Sequence, residues 1–223
     1  MKNEIVSRTY IKPFLPTPPH LKNFKLFLLD QLLPTIHGNM TFFFPSFDSS
    51  TNLDFEFSCK SQLLQKSISE TLTCFYPLAE HFAGGSAIDC NDDGSLFIEA
   101  RSNSSLLDFL SKLDCETLNL FLPTNDQETM ELSKGSMWLV KFSMFSCGGT
   151  AVSISLTHKI ADFVVLITLL KSWTATCHGS SEPLAPQFIG ASILPPREIP
   201  GEENNNVMKF IYENNKIDIS DFT

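Results

Sequence analysis

Nowhere in this 223-residue sequence does an uninterrupted apolar run approach the roughly 18 to 20 residues that a bilayer-crossing helix needs. No membrane span of that kind is expected. Basic residues are also in short supply, 16 against 25 acidic ones for a formal charge of -9. The chain therefore offers neither the electrostatic footprint of a nucleic-acid binder nor a polybasic membrane patch. The six cysteines, Cys59, Cys74, Cys90, Cys115, Cys147 and Cys177, include no Cys-x-x-Cys pair and no cluster with histidine at zinc-ligand spacing. Reduced, mostly buried thiols are expected. The opening "MKNEIVSRTYIKPFLPTPP" is charged throughout and lacks an apolar core of signal-peptide length. Neither secretion nor a transit peptide is indicated, and a soluble, cytoplasmic setting is expected. Tyrosine is scarce too, three against twenty phenylalanines, which favours packing over polar readout. What is present is a chain 43% hydrophobic and 18% charged, which excludes disorder, and long enough for one α/β unit or a domain and a half.

Along the chain, "EIVSRTY" alternates as a strand does, with Ile5, Ser7 and Thr9 on one face and Val6, Arg8 and Tyr10 on the other, until prolines stop it. "FKLFLLDQLLPTI" fits helix or strand, and "NMTFFFP" reads as a short buried strand closed by Pro45. Leu63, Leu64, Ile68 and Leu72 recur at helical spacing, with Ser58 or Ser61 as candidate caps. "SAIDCNDDGSLFIEA" reads as a hairpin turning at Asn91–Gly94. Two further strands, Met137–Phe145 and Ala151–Leu156, meet around Cys147-Gly148-Gly149. A helix through Val164, Ile167, Leu170 and Trp173 then runs to a stop at Gly179. From Gly179 to Asn206 the proline-rich composition predicts an extended linker, and 207–223 resumes strand-like alternation.

Between the last strand and the last helix stands "ISLTHKIADFVVL", with His158 and Asp162 four residues apart. The end of a strand entering a helix is where α/β folds expose functional side chains, and there the carboxylate could fix the imidazole or the local backbone. One histidine with one carboxylate is too few ligands for zinc. From the residues alone two readings stay open, a reactive base and a satisfied buried histidine. His20, His37, His81 and His178 read as loop or surface residues, with His37 a candidate lining residue of an acceptor pocket. A Cys147 nucleophile is disfavoured, because that position lies in a Gly-Gly turn that calls for a compact residue.

Several segments together resemble the plant acyl-CoA-dependent acyltransferases of the BAHD family. They are "CGGTAVSISLTHKIAD", "IKPFLPTPPHLKNFKLFLLDQLLP", "LLQKSISETLTCFYPLAEHF", "IDCNDDGSLFIEA" and "FIGASILPPRE". The resemblance is nearly chain-long and nearest to the alkaloid-type branch of vinorine synthase-like enzymes. It implies an α/β fold like chloramphenicol acetyltransferase, a mixed sheet flanked by helices, in a protein of two domains with the motif histidine in the channel between them. It further implies His158 as general base, with acyl-CoA, acetyl-CoA first, as co-substrate, no resident cofactor, a small hydroxyl- or amine-bearing acceptor and a monomeric full-length enzyme. Asp162 would be structural, turned away from the channel, where the family pairs it with an arginine; in this chain it is expected to turn inward without that arginine. Residues 1–178 would form the N-terminal domain, 179–206 the interdomain linker, and 207–223 the start of the second domain.

Three departures from the family pattern accompany the match. Phe163 stands where glycine commonly follows the motif aspartate, Glu80-His81 replaces Gly-Arg, and the second signature, Asp-Phe-Gly-Trp-Gly, does not occur in the sequence. The expectation is a half enzyme carrying the base but idle alone. The alternative is a non-catalytic domain that binds a small molecule or partner through the same surface.

Overall fold

The computed structural model describes residues 1–33, 35–46, 52–179 and 184–197. Its centre is a five-stranded mixed sheet in the order β1-β5-β6-β7-β3, from β1 (Asn3–Ile11), β3 (His37–Phe44), β5 (Ser95–Ser102), β6 (Trp138–Met144) and β7 (Thr150–Thr157). Only β5 and β6 run parallel; the crossover between them carries three short helices, α3 (Leu106–Ser111), α4 (Cys115–Asn119) and α5 (Gln127–Leu132). Strands β6 and β7 are buried along their whole length, the polar side chains Lys141, Ser143, Ser153 and Ser155 that alternate with their apolar ones included.

One face of the sheet presents Trp138, Val140, Phe142, Val152, Ile154 and Leu156 to two long helices, α2 (Leu53–Cys74) and α6 (Phe163–Cys177). Ile68 and Leu72 of α2 and Leu169 and Trp173 of α6 complete this core. Trp173 meets Trp138 edge-on at 5.5 Å and donates its indole N–H to Ser67 Oγ at 2.8 Å, so the ring is buried without leaving a polar atom unpaired. The opposite face holds a phenylalanine cluster, Phe43, Phe109, Phe121 and Phe145, which absorbs part of the chain's surplus of that residue. The same face buries Lys141, whose ammonium donates to Leu120 O at 2.8 Å and Asn125 Oδ1 at 2.9 Å.

Several expectations are corrected. The alternation of β1 breaks at a bulge between Ile5 and Ser7, so those two residues do not share a face. β3 is not a buried strand but the edge of the sheet, with Phe44 51% exposed. The cap of α2 is Asn52, whose Oδ1 accepts the Phe55 N–H at 3.0 Å; Ser58 and Ser61 lie within the helix. The Asn91–Gly94 turn does not close a hairpin. β4 (Ala87–Asp89) pairs instead with β2 (Asn23–Lys25) in a separate two-stranded sheet, while β5 enters the main one. The turn is occupied otherwise: Asp92, at φ 61, accepts from the Thr17 hydroxyl, and its own N–H goes to the buried Glu80 carboxylate. All six cysteines are free, but Cys59, Cys115 and Cys147 are exposed and only Cys90 is buried.

Between β2 and β3 lies a single-turn helix, α1 (Leu28–Leu32). Residues 184–197, with the one-turn α7 (Gly190–Ile193), do not run free over the surface as an extended linker would. Phe188 meets Phe24 and Tyr76 edge-on, and Leu28 donates its N–H to Leu194 O at 3.1 Å. The rest of the predicted linker and all of 207–223 fall outside the described residues.

Candidate active site

β7 ends at Thr157, whose N–H still bonds Met137 O, just ahead of β6, at 2.9 Å; one residue later the His158 N–H is taken by Ile36 O, just ahead of β3, at 2.8 Å. The histidine backbone is thus pinned between two strands while its side chain stands exposed at the sheet's end. Gly38, on the neighbouring edge strand, faces the ring: a Cβ at that position would lie 3.6 Å from His158 Nε2. The reading of His158 as an enclosed core histidine does not fit this placement.

Four residues on, Asp162 is the N-cap of α6, and its Oδ1 accepts the Val165 N–H at 2.8 Å. It is exposed, not turned inward as the family pattern suggested. The cap satisfies one of the helix's orphan donors and aims the chain out of β7 into α6. Phe163 and Val164 do not crowd the helix start, for both point outward at 66% and 70% exposure. With Leu33 and Ile36 they surround the motif's chain segments with exposed apolar side chains.

Beneath the histidine, Lys159 is buried at 6% exposure. Its ammonium donates to Gln31 O at 2.9 Å and Leu33 O at 3.1 Å, and sits 5.1 Å from the Phe82 ring centre. Asp30, on the same turn of α1, has its carboxyl pushed up to about 6 by burial; the Asp162 charge adds to the rise, and the Phe27 backbone N–H and the Lys159 charge oppose it. Neither residue stood out in the sequence, because an isolated charged residue in an apolar run carries no local sign of burial.

His37 opens β3 in register with Thr157, and its Nε2 lies 2.8 Å from Ser136 O. The ring is therefore anchored to backbone beside the site. His81 also reaches Ser136, through Oγ at 2.9 Å, and its Nδ1 lies 3.7 Å from Asp93. The Glu80-His81 departure thus builds a brace for the Asp92–Asp93 turn. His20 and His178 are exposed, at a 3-10 turn and at the C-cap of α6. Cys147 lies at the opposite end of β7 from His158, separated by a strand of eight residues or roughly 25 Å, so the two cannot act as a pair. Among the described residues there is no cluster of His, Cys, Asp and Glu that could hold a metal, and no helix long and apolar enough to cross a membrane.

Comparison with known proteins places these features in a family. The model of the Transferase family matches residues 1–221. Stemmadenine O-acetyltransferase of Catharanthus roseus is 40% identical over 225 residues, covering 96% of this chain and 53% of the relative. Vinorine synthase of Rauvolfia serpentina is 39% identical over 224 residues, covering 96% and 52%. The chain spans about half the length of the curated relatives it matches. The crystal structure of vinorine synthase superposes with a TM-score of 0.76 at 38% identity, over 90% of this chain and 48% of that one. TRI101 of F. sporotrichioides, solved with coenzyme A and T-2, gives a TM-score of 0.55 at 13% identity over 71% and 39%, a likeness of fold alone.

Proposed function

The chain belongs to the Transferase family of BAHD acyltransferases, and on that premise we propose that it is the base-bearing half of an acyl-CoA-dependent O- or N-acyltransferase of plant specialised metabolism. The observation that carries the reading is the exposed imidazole of His158 at the end of β7, facing a glycine. His158 takes the proton from an acceptor hydroxyl or amine as the heteroatom attacks the thioester carbonyl of acyl-CoA. The tetrahedral intermediate collapses with cleavage of the C–S bond, and the proton held by the imidazolium passes to the departing CoA thiolate. The products are an ester or amide and free CoA thiol, with no acyl-enzyme.

Asp162 contributes by capping α6 and fixing the turn that follows the base, not by relaying charge. His37 stands beside the site as a candidate wall of the acceptor pocket. Residues 1–178 are the N-terminal domain in this reading, 179–206 the interdomain linker and 207–223 the start of the second domain. The relatives' names support the acyl class: O-acetyltransferases predominate, and a Strychnos nux-vomica relative is an N-malonyltransferase. The deciding experiment is acyl transfer by a chain carrying 1–223 together with a family-type second half, with and without His158→Ala.

A further inference from the structure

Lys159 is adjacent to the proposed base yet points away from solvent, and its partners are unusual for a buried ammonium. It holds the carbonyls of Gln31 and Leu33 at the end of α1, groups that the last turn of a helix leaves without intrahelical partners. Gln31 is itself buried at 4% exposure, and its side-chain amide grips the backbone of one residue twice: Oε1 accepts the Arg197 N–H at 3.0 Å and Nε2 donates to Arg197 O at 3.2 Å. One residue of α1 therefore binds the lysine through its main chain and the 184–197 segment through its side chain. The same segment is held at a second point by the Leu28 N–H on Leu194 O. It packs closely there, since a Cβ at Gly190 would stand 3.2 Å from the Phe27 side chain. The chain leaving α1 returns to the histidine as well, because Ile36 O accepts the His158 N–H.

We propose that Lys159 is a positioning residue, whose ammonium locks α1 beneath His158 and so makes the setting of the imidazole depend on the docking of residues 184–197 through Gln31. Its importance for catalysis rests on the reading of His158 as the base, but the coupling itself does not. A shift of the 184–197 segment is transmitted through Gln31 to the carbonyls that hold Lys159, and from there to the residue next to it in the chain. A methionine at 159 would fill similar space but leave the buried Gln31 carbonyl and the part-buried Leu33 carbonyl without this donor.

The test is residue-resolved amide exchange and imidazole NMR on the 223-residue chain, comparing the unaltered protein with Lys159→Met and Gln31→Leu. Lys159→Met is expected to speed exchange of the His158 and Arg197 amides at least tenfold and to move or broaden the His158 ring resonance, while β6 amides keep their protection. Gln31→Leu, which leaves Lys159 in place, is expected to release the Arg197 amide and still move the His158 ring resonance. A His158 resonance unchanged in Gln31→Leu overturns the proposal, and this holds even if Lys159→Met fails to fold. So does an Arg197 exchange rate within twofold of the unaltered chain in a folded Lys159→Met. Turnover is not the readout, so a His158 that proved idle in catalysis would leave the coupling to be judged separately.

Discussion

Gly38 and His158 face one another across the β3–β7 pair, with only 3.6 Å between the site of an added Cβ and the imidazole Nε2. That distance is ordinary van der Waals contact, so Gly38→Ala should fold normally. A branched side chain would stand where a substrate hydroxyl must approach the ring. Gly38→Val is expected to leave the unfolding midpoint within a few degrees while lowering kcat/KM of a chain with a complete channel by about a hundredfold, the scale of loss that misplacement near 1 Å produces. Thermal unfolding and steady-state rates on the same samples check both halves.

Asp162 should matter more for stability than for chemistry. Removing the N-cap of α6 in Asp162→Ala is expected to cost about 0.5 to 2 kcal/mol, with Asp162→Asn or Asp162→Ser recovering most of it. Because Leu169 and Trp173 of that helix lie in the main core, the loss should appear in the global urea transition and not as local fraying. If Asp162→Ala kept the unaltered midpoint, the capping role would fail.

Asp30 gives stability a pH dependence of known sign. Its folded-state pKa of about 6 lies above the ordinary 3.8, so folding favours its neutral form. The contribution is fully present below about pH 3.8 and is lost as pH rises through about 6. Asp30→Asn, neutral throughout, should gain stability relative to the unaltered chain between pH 4 and 7, with the difference levelling off above. Urea midpoints at half-unit steps in pH measure it; a difference that stays flat from pH 4 to 7 would place the Asp30 pKa at its ordinary value.

Much of this site is written in the local sequence. A β-branched run, a histidine, and an aspartate in capping position ahead of an apolar helix announce the end of β7 and the start of α6, because strand alternation and capping are local effects. What failed to read through is what depends on partners far along the chain. The Asp-Asp-Gly turn has hairpin chemistry, but Glu80 and Thr17 hold it and send β4 and β5 to different sheets. The phenylalanines of β3 look like a buried strand, and sheet order alone makes it an edge. The inward Asp162 was a family expectation; in this chain the carboxylate is occupied by the helix it starts. Lys159 and Gln31 carried no signal at all, since what buries them is a contact with residues more than 120 positions away.

The isolated 223-residue chain should be idle and self-associating. Positioning of two substrates against a base can be worth about 7 to 11 kcal/mol of a barrier, and a histidine standing exposed on one surface cannot supply it. The apolar side chains flanking the motif, Leu33, Ile36, Phe163 and Val164, are exposed at 38% or more. Sedimentation velocity should show concentration-dependent association that weakens in mild detergent, and acetyl-CoA consumption with a panel of alcohols and amines should stay at background. Robust turnover by this chain alone would contradict the half-enzyme reading.

The assignment of His158 as the base is tested most directly by kcat/KM for acyl transfer in a chain that joins 1–223 to a family-type second half, measured with His158 and with His158→Ala. General-base catalysis of this kind contributes roughly 10²- to 10⁴-fold, and a loss of that size with the fold intact is the predicted result. Full activity retained by His158→Ala would contradict the account.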